Sequence, residues 1–397
     1  MPASVAPASL RPGCRALMVC PQFRPSIGGY ERAAERLSRE LVREGAAVTV
    51  ITDRRDPQWP AQENLDGVQV VRLWCWFRPR LHLATSLFSH TLWLLTHGRQ
   101  FDVWHVHQYG THGTLAVLMG KLLRRPVVMK LTSSGEQSID AALASTPFAR
   151  FQKWAHRQVS ACIAVSAETA EEALAFGIPT TRVERIPNGI DTTGFQPDAK
   201  ATKPVLRQTA GLGIEPFVVF VGRLSAEKNA LALIDSWSLI VRRAPTHWRL
   251  YLIGDGPQRG AIEREIAARN LQDSVTLVGA SPQVADWMRM ADIYALSSNR
   301  EGLSNTTIEA MASGLPSVVT AVSGMRDLVE SNDAGIVVPR ADPPALAQAL
   351  TCLMDDAALR ERLGANARRA VLRDFSIEVV AHAHLAVYKQ VRMKGKR

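Results

Sequence analysis

The sequence lacks the cysteine spacing, the long apolar runs and the leader segment that mark several common protein classes. Scattered cysteines without a C-x-x-C pair are typical of reduced thiols in a cytosolic protein and argue against a disulfide framework or structural zinc. No stretch approaches about 20 uninterrupted apolar residues, so no transmembrane helix is expected. The N-terminus lacks the basic start and the long apolar segment of a secretory signal. The five cysteines are Cys14, Cys20, Cys75, Cys162 and Cys352.

Two motifs of nucleotide chemistry are also missing. No D-x-D occurs anywhere in the chain, so the usual carboxylate pair for a metal-bound diphosphate is absent from the sequence. No G-x-G-x-x-G follows a first strand in either half, which argues against NAD-dependent oxidoreduction. The sequence therefore predicts that a bound diphosphate would be neutralised by side-chain cations and helix amides, without a metal.

The composition indicates a globular protein with an uneven charge distribution. Of its 397 residues, 46% are hydrophobic and 21% are charged. The length predicts two domains of roughly 150–200 residues each. The net charge of +10 is concentrated in residues 70–160, which hold 11 Lys and Arg against 3 acidic residues. No nucleic-acid-binding motif accompanies this charge, so nucleic acid is not an expected partner.

The same basic region contains an apolar, Trp-bearing stretch, "LHLATSLFSHTLWLLTHGR" (81–99), flanked by Arg78, Arg80 and Arg99. One interpretation is a core helix whose flanking arginines are solvated. The other is an interfacial helix that contacts an anionic membrane surface. The sequence leaves both interpretations open.

Short apolar runs alternate with helical patterns along the whole chain, which is typical of parallel α/β sheets. In the first half the runs are "ALMVC" (16–20), "AVTVIT" (47–52), "VQVVRL" (68–73), "DVWHVH" (102–107), "PVVMKL" (126–131) and "ACIAVS" (161–166). In the second half they are "FVVFVG" (217–222), "RLYLIG" (249–254), "SVTLVG" (274–279), "DIYALSS" (292–298), "PSVVT" (316–320) and "AGIVVP" (334–339). Amphipathic stretches such as 31–45 and 229–244 lie between them.

The two series of strands are separated near 187–216 by a segment rich in Pro, Gly, Asp and Thr, which we interpret as the linker. We predict an α/β fold of two doubly wound, Rossmann-like domains that face each other across a cleft. Their extents are 1–187 and 188–375, and a C-terminal helix over about 376–397 crosses back to the N-terminal domain. Ligands bind at the carboxyl ends of the strands in such sheets.

The segment "FVGRLSAEKN" (220–229) places two cations directly after a buried strand. Arg223 and Lys228 therefore lie in the loop between the carboxyl end of that strand and the next helix. A diphosphate suits this pair, because Arg binds phosphate bidentately and Lys acts as a point charge. Taken alone, such a loop is more often a solvated turn.

A second segment, "EGLSNTTIEAMASGLP" (301–316), favours a ligand-binding role for the loop of Arg223 and Lys228 over a solvated turn. Ser304 or Asn305 is a good N-cap for a helix that follows. The amides of residues 302–306 can face the same phosphates, since a helix N-terminus carries partial positive charge and free N–H groups. The loop acid Glu301 is suited to bind a sugar ring, and Glu309, about one turn into the helix, a ribose diol. The alternative is a surface acid pair on a capped helix.

The segments "GRLSAEKN", "IGDGP", "EGLSNTTIEAMASGLPSVVT" and "IPNGID" (186–191) resemble those of the retaining glycosyltransferase group 1 family of GT-B fold. The resemblance extends through "PSIGGYERAAERLSREL" (25–41) and so covers nearly the whole chain. It implies transfer of a sugar from a nucleoside diphosphate donor with retention at the anomeric carbon, and no essential metal or cofactor. The N-terminal domain would bind the acceptor and the C-terminal domain the donor.

The resemblance also implies roles for individual residues. Arg223 and Lys228 would hold the diphosphate, Glu309 the ribose, and Glu301 the donor sugar beside the reacting carbon. The turn at Gly28 and Gly29 would close onto the phosphates and the acceptor, although a plain tight turn is the alternative. The predicted catalytic residues are Glu301, Arg223 and Lys228. The predicted donor-binding residues are these three with Gly28, Gly29, Gly254, Gly302, Leu303, Ser304, Asn305 and Glu309.

One departure from the family pattern affects the acceptor side. Many members carry a histidine after the fifth N-terminal strand, whereas this chain has "PVVMKLTSSGEQ" with Thr132 at the matching position. Nearby hydroxyls or an acid could replace the missing contact. The predicted acceptor-side residues are His107, Tyr109, Thr132, Ser133 and Glu136.

The leading functional prediction is transfer of a hexose to a glycan, glycolipid or lipid-linked acceptor, in the cytoplasm and associated with the inner face of a membrane. A nucleotide-sugar epimerase of similar shape is disfavoured, because the paired motifs match transferases better. A non-catalytic or weakly active regulator that retains nucleotide-sugar affinity stays open, since the family histidine is missing.

Overall fold

The computed structural model describes residues 13–25, 29–76, 78, 81–107, 109–132, 148–198, 202–243 and 247–394. The chain forms two compact units. Unit 1 contains the described residues up to Val165, Thr169–Ile186 and the chain from Ala381, and unit 2 contains Ser166–Glu168 and Pro187–Val380.

Unit 1 is built on an eight-stranded sheet of order β3-β4-β2-β1-β5-β6-β7-β8. Its neighbouring strands pair in parallel, except that β3 runs antiparallel to β4. Because the order reverses between β1 and β5, the ends of these two strands form the point where such sheets bind ligands. The strands are β1 (Arg15–Val19), β2 (Ala47–Asp53), β3 (Gln62–Leu65), β4 (Val68–Leu73), β5 (Val103–Val106), β6 (Val127–Leu131), β7 (Ala161–Ala164) and β8 (Val183–Arg185).

Unit 2 is built on a six-stranded parallel sheet of order β11-β10-β9-β12-β13-β14. Its order reverses between β9 and β12, which are neighbours. The strands are β9 (Phe217–Val221), β10 (Arg249–Ile253), β11 (Val275–Gly279), β12 (Ile293–Leu296), β13 (Ser317–Thr320) and β14 (Gly335–Val338).

Helices connect the strands in both units. Those up to Ala175 are α1 (Gly29–Arg43), α2 (His82–His97), α3 (Thr111–Leu123), α4 (Ala149–His156) and α5 (Ala167–Ala175). Those after it are α6 (Lys203–Thr209), α7 (Ala230–Arg243), α8 (Arg259–Ala268), α9 (Val284–Met290), α10 (Asn305–Ala312), α11 (Pro343–Asp355), α12 (Ala357–Asp374) and α13 (Ile377–Lys394). In the part of the chain that the structure describes, every helix is too short or too polar to cross a membrane.

The central strands are buried along their whole length, as their apolar sequences require. Every residue of β9, which reads FVVFV, is buried, and so is every residue of β6 and β12. Strands covered on both faces lose the alternation of polar and apolar residues that half-exposed strands show. That continuous apolar sequence made them recognisable.

The predicted fold class is confirmed, and every apolar run predicted as a strand overlaps a strand of the structure. Two short strands, β3 and β8, were not predicted, because their sequences QENL and VER are polar and lie at the sheet edges. The interpretation of 187–216 as a plain linker was incomplete. That segment contains α6, whose Arg207 is buried and donates hydrogen bonds to the Met290 carbonyl oxygen.

The C-terminal helix α13 returns to unit 1, as predicted. Its residues from Ala381 onward belong to that unit. Tyr388 is buried there, and its hydroxyl lies 2.6 Å from Nδ1 of His105 on β5. The helix therefore completes the interior of unit 1.

Candidate functional site

The predicted donor residues of unit 2 lie on the loops that follow β9 and β12. These strands are neighbours in the sheet, at the place where its order reverses. The loop after β9 spans 222–229 and the loop after β12 spans 297–304. Parallel topology therefore brings Arg223 and Lys228 to the same edge as Glu301 and the start of α10.

Arg223 is held in place by the backbone on either side of it. The Gly222 amide donates to the Ile253 carbonyl oxygen and the Leu224 amide to that of Asp255, each at 3.0 Å. Leu224 is fully buried, whereas Arg223 is exposed. The Arg223 guanidinium has no hydrogen bond or ion pair with any residue that the structure describes, which leaves its charge available for a ligand.

Gly254 fixes how closely the neighbouring loop approaches. Its φ of 142° lies in the region that favours glycine, and a Cβ added there would overlap the carbonyl oxygen of Gly222. The Gly254 amide also donates to the Gly279 carbonyl oxygen at 2.8 Å. A side chain at position 254 would therefore push the loop of Arg223 out of place.

Lys228 and Glu301, which sequence reasoning assigned to different parts of the donor, form an ion pair. Lys228 Nζ lies 2.5 Å from Glu301 Oε1, and the Ser298 hydroxyl donates to the same oxygen at 2.7 Å. The Lys228 side chain is 23% exposed and that of Glu301 is 9% exposed. The structure therefore brings these two predicted site residues together at the edge of the sheet.

The two loops are tied to each other by hydrogen bonds that involve no ligand. The Asn299 amide donates to the Glu227 carbonyl oxygen at 2.7 Å, and Asn229 Nδ2 donates to Asn299 Oδ1 at 3.2 Å. The Ser297 hydroxyl donates to the Asn229 carbonyl oxygen at 2.9 Å. Groups held in this way need little reorganisation when charge develops at a bound substrate.

The start of α10 is capped by Ser304, one of the two predicted caps. Its side chain accepts from the Thr307 amide at 3.3 Å and is almost fully buried. Asn305 Oδ1 accepts from Nδ2 of Asn188, which belongs to the "IPNGID" segment, at 2.9 Å. The Tyr294 hydroxyl lies 2.8 Å from Thr306 Oγ1. The helix N-terminus is therefore anchored by side chains from β12 and from the segment before α6.

The remaining donor-side residues surround this N-terminus. Gly302 is half-buried, and Leu303 packs against the core of unit 2. Glu309 lies in α10 and is 5% exposed. A carboxylate so far from water must be satisfied by partners or by a ligand.

The predicted acceptor residues of unit 1 are less concentrated. Gly29 begins α1, whereas Gly28, Ser133 and Glu136 lie outside the described residues. Tyr109 and Thr132 are half-buried, and Tyr109 packs against the core of unit 1.

His107 is 2% exposed and lies inside unit 1. Its amide donates to the Val19 carbonyl oxygen at 3.2 Å, and its ring stacks on that of His105 with centroids 4.2 Å apart. Burial, reinforced by the charge of Lys130, holds the pKa of His107 well below its usual value. We therefore do not retain His107 as an acceptor contact.

The sequence did not reveal two polar features at the carboxyl edge of the unit 1 sheet, a buried lysine and a cluster of side chains. Lys130 on β6 is buried, which lowers its pKa to about 8. The signal was a single lysine inside the apolar run "PVVMKL" (126–131). The second group surrounds Asp53, the last residue of β2, and its members come from segments too far apart in sequence to be recognised as a motif.

Comparisons with known proteins point to one family. Family models described as "Glycosyl transferases group 1" and "Glycosyltransferase Family 4" match residues 215–356 and 27–193. The D-inositol 3-phosphate glycosyltransferase of Xylanimonas cellulosilytica is 31% identical over 390 residues, 91% of this chain and 92% of that protein. The lipopolysaccharide core biosynthesis mannosyltransferase LpsB of Rhizobium meliloti is 29% identical over 310 residues, 76% of this chain and 82% of that protein.

A solved structure shares the fold. The structure of Anabaena Alr3699/HepE in complex with UDP superposes with a TM-score of 0.77 at 19% identity, covering 95% of this chain and 100% of that one.

Proposed function

We propose that this chain, which belongs to the group 1 glycosyltransferases and uses nucleotide sugars, transfers a hexose with retention and without a metal at the diphosphate. The observation that carries the proposal is the edge of unit 2 where neighbouring loops carry Arg223, the Lys228–Glu301 pair and the capped start of α10. It combines positive charge for a leaving diphosphate with carboxylates for hydroxyl-rich groups.

The diphosphate would bind between the cations and the helix. Arg223 is exposed at this edge, and the first amides of α10 add a partial positive charge of about 0.5. Lys228 has three N–H donors, so it can keep its bond to Glu301 and still donate to a phosphate oxygen. Two cations and a helix N-terminus together offset the charge that develops on the departing diphosphate.

Glu301 would act on the opposite charge. As the bond from the anomeric carbon to the diphosphate oxygen lengthens, positive charge builds on the sugar ring. The Glu301 carboxylate, held by Lys228 and Ser298, would stabilise that charge from a fixed position. The acceptor hydroxyl would attack from the side of the leaving group, and its proton would pass to the departing diphosphate oxygen. This sequence retains the anomeric configuration.

The acceptor would be a glycan, a glycolipid or a lipid-linked sugar. The relatives are named for lipopolysaccharide core biosynthesis and for D-inositol 3-phosphate, which supports a hydroxyl-rich acceptor. Thr132 and Tyr109 are the described residues of unit 1 that we propose for its side of the reaction.

A product assay tests the function directly. The full chain would be incubated with a panel of UDP- and GDP-sugars and with lipid-linked, glycan and inositol phosphate acceptors. We expect sugar transfer from one donor. NMR should show that the transferred sugar has the same anomeric configuration in the product as in the donor. An inverted product would refute the front-face mechanism, and donor binding without transfer to any acceptor would favour the regulatory alternative.

We also propose that α2 contacts an anionic membrane. Phe88, Leu92 and Leu95 on this helix are exposed, and so is the nearby Trp76. Isolated exposed apolar residues are common, but a contiguous helical face of them indicates an interaction surface. The basic charge of residues 70–160 suits anionic lipids. The cytoplasmic location predicted from the sequence stays a prediction.

Vesicle sedimentation tests this contact. The full chain should bind vesicles that contain anionic lipid more strongly than neutral ones, and added salt should weaken the binding. The double variant Phe88→Asp, Leu92→Asp should lose it, whereas Val205→Asp, at an exposed residue of unit 2, should retain it. Equal binding of both variants would contradict the proposal.

A further inference from the structure

Helix α2 has an unusual distribution of side chains. Its buried residues are Ser86, His90 and Leu94, so two of the three groups that face the interior are polar. Its exposed residues include Phe88 and Leu92. A helix that packs by apolar contact would show the reverse pattern. Polar interactions must therefore make a large contribution to holding α2 against unit 1.

Those interactions converge on a cluster of metal-ligand side chains from three elements. Asp53 ends β2 and is 1% exposed, Cys75 follows β4 and is 5% exposed, and His82 begins α2. One ligand atom from each lies within 4.8 Å of the other two. His82 Nε2 is 3.4 Å from Asp53 Oδ2.

The Asp53 carboxylate is oriented by a chain of hydrogen bonds on its other oxygen. The Ser86 hydroxyl donates to Asp53 Oδ1 at 2.6 Å, and Ser86 Oγ lies 2.7 Å from His112 Nε2. Because the single hydroxyl proton goes to the carboxylate, His112 Nε2 is the donor to Ser86. Such outer partners commonly fix the orientation of a metal-binding carboxylate.

This arrangement leaves Asp53 Oδ2 buried and without a hydrogen bond in the described part of the chain. A buried, unsatisfied carboxylate oxygen is destabilising, and native proteins rarely keep one without a ligand or a structural reason. This oxygen is the one that faces His82 Nε2, and its residue shares a group of possible ligands with Cys75 and His82.

We propose that Asp53 Oδ2, Cys75 Sγ and His82 Nε2 bind one divalent transition-metal ion, for which Zn²⁺ is best suited. Zn²⁺ takes carboxylate, thiolate and imidazole ligands in a tetrahedral site, and the two anionic ligands match its charge. The ion would join β2, β4 and α2, which explains why the inner face of α2 is polar. Its role is to hold α2 in place, and all three ligands belong to unit 1.

A second set of side chains shares Asp53 but is less suitable. His90 and His112 also lie within 4.8 Å of it and of each other. However, His90 Nδ1 donates to the Ser86 carbonyl oxygen at 2.8 Å, and His112 Nε2 holds the Ser86 hydroxyl. The His112 ring therefore already orients the carboxylate through Ser86, and the His90 ring is held by the backbone. The second set also lacks a thiolate, which leaves it with one anionic ligand.

Cobalt spectroscopy on the full chain tests the site. Protein treated with a chelator and a thiol-free reductant would be titrated with Co²⁺. We expect one equivalent to produce a thiolate-to-cobalt charge-transfer band and tetrahedral ligand-field bands, which Zn²⁺ then abolishes by displacement. Absence of a charge-transfer band would overturn the proposal.

Matched variants identify the ligands. Cys75→Ser should abolish the charge-transfer band, and His82→Gln should weaken Co²⁺ affinity at least tenfold. Cys352→Ser and His97→Gln, at exposed positions, should leave the spectrum and the affinity unchanged. Circular dichroism of each apo variant checks that it is folded.

A separate measurement does not depend on the variants. Zn²⁺ should raise the melting temperature of the chelator-treated wild-type chain, because a ligand that binds only the folded form stabilises it. An unchanged melting temperature would contradict a role in holding α2. Co²⁺ ligand-field bands that lack a charge-transfer band, persist in Cys75→Ser and disappear in His90→Gln would place the ligands in the second set, which has no thiol, and overturn this assignment.

Discussion

The carboxyl edges of the two sheets have a similar strand arrangement but differ in whether their charged side chains are exposed or buried. In unit 2, Arg223 is exposed and Lys228 is paired with Glu301 on loops that hydrogen bonds clamp together. In unit 1, His107 and Lys130 are buried close to the corresponding strand ends. An edge that presents charge suits a diphosphate, whose charge is the same for every donor. An edge that buries its titratable groups offers shape and neutral contacts, which is consistent with our proposal that unit 1 binds the hydroxyls of the acceptor.

The largest expected effect comes from removing the exposed cation of unit 2. Arg223→Ala should lower kcat by about 10²–10³-fold, the usual effect of losing one preorganised group that stabilises a developing negative charge. Steady-state turnover with the identified donor measures it. Arg243→Ala removes an exposed arginine of α7 and should leave turnover unchanged. Wild-type turnover in Arg223→Ala would mean that the two edges do not differ in the way described.

The Lys228–Glu301 pair should give the next largest effect. Lys228→Ala and Glu301→Gln should each lower kcat by about 10²-fold, since we propose that Lys228 contacts the leaving group and Glu301 the sugar. The double variant should lose less than the product of the two, because residues that act as a unit are not additive. If the free-energy losses of the two single variants add in the double variant, Lys228 and Glu301 act independently and not as a pair. Arg373→Ala, which breaks an exposed pair with Asp374, is the control and should leave kcat unchanged.

Glu309 should affect binding more than chemistry. Glu309→Gln replaces the carboxylate with an amide of similar shape and should weaken the affinity for the free nucleoside diphosphate by about tenfold, the loss of one charge-assisted hydrogen bond. Calorimetric titration with the nucleotide measures it. The control is Glu330→Gln, at an exposed acid of unit 2, which should bind normally. An unchanged affinity for Glu309→Gln would remove the ribose role.

The contrast between the two edges also explains what the sequence could predict. The loops of unit 2 are local motifs, because a strand end, a cation and a helix cap lie within ten residues or so of one another along the chain. The ion pair between Lys228 and Glu301 was not predictable from the sequence, since the two residues are 73 positions apart. The side chain that each loop residue contacts depends on packing across the sheet.

For unit 1, the sequence predicted the sheet but not the polar side chains that meet at its edge. The apolar runs of β1, β5 and β6 identified its sheet, but the polar groups at its edge come from distant segments. The absence of a C-x-x-C pair argued against zinc, yet Asp53, Cys75 and His82 meet through the pairing of β2 with β4. Ligand spacing along the chain detects a metal site only when the ligands share a loop or a helix.

Acid should destabilise unit 1 in preference to unit 2, because burial lowers the pKa of His105, His107 and His156, which all lie in unit 1. Burial lowers the pKa of His156 to about 4. This side chain is therefore neutral when folded but takes up a proton in the unfolded chain below its ordinary pKa of about 6.5. Its contribution to stability is complete above that value and is lost as the pH falls toward 4, at about 1.4 kcal/mol per pH unit.

His156→Gln should remove that part of the pH dependence. Denaturant unfolding between pH 7 and pH 4.5 measures the slope, which should be shallower in the variant by about one proton. His247→Gln, at an exposed position of unit 2, should leave the slope as it is in the wild type. Equal slopes in His156→Gln and the wild type would show that His156 is not kept neutral by the fold of unit 1.

The smallest expected effect on catalysis is that of a chelator. On the proposal that the cations and helix amides of unit 2 carry the charge of the diphosphate, EDTA should leave kcat and the KM for the donor unchanged at temperatures where the chain stays folded. The same treatment should lower the melting temperature of unit 1 if an ion joins Asp53, Cys75 and His82. Turnover and melting measured on one sample separate the two units, and the Cys75→Ser variant, which has no ion to lose, is the control. Loss of turnover that only Mg²⁺ or Mn²⁺ restores would place a metal at the diphosphate. The two units would then no longer differ as a metal-free charged edge in unit 2 and a metal-binding cluster in unit 1.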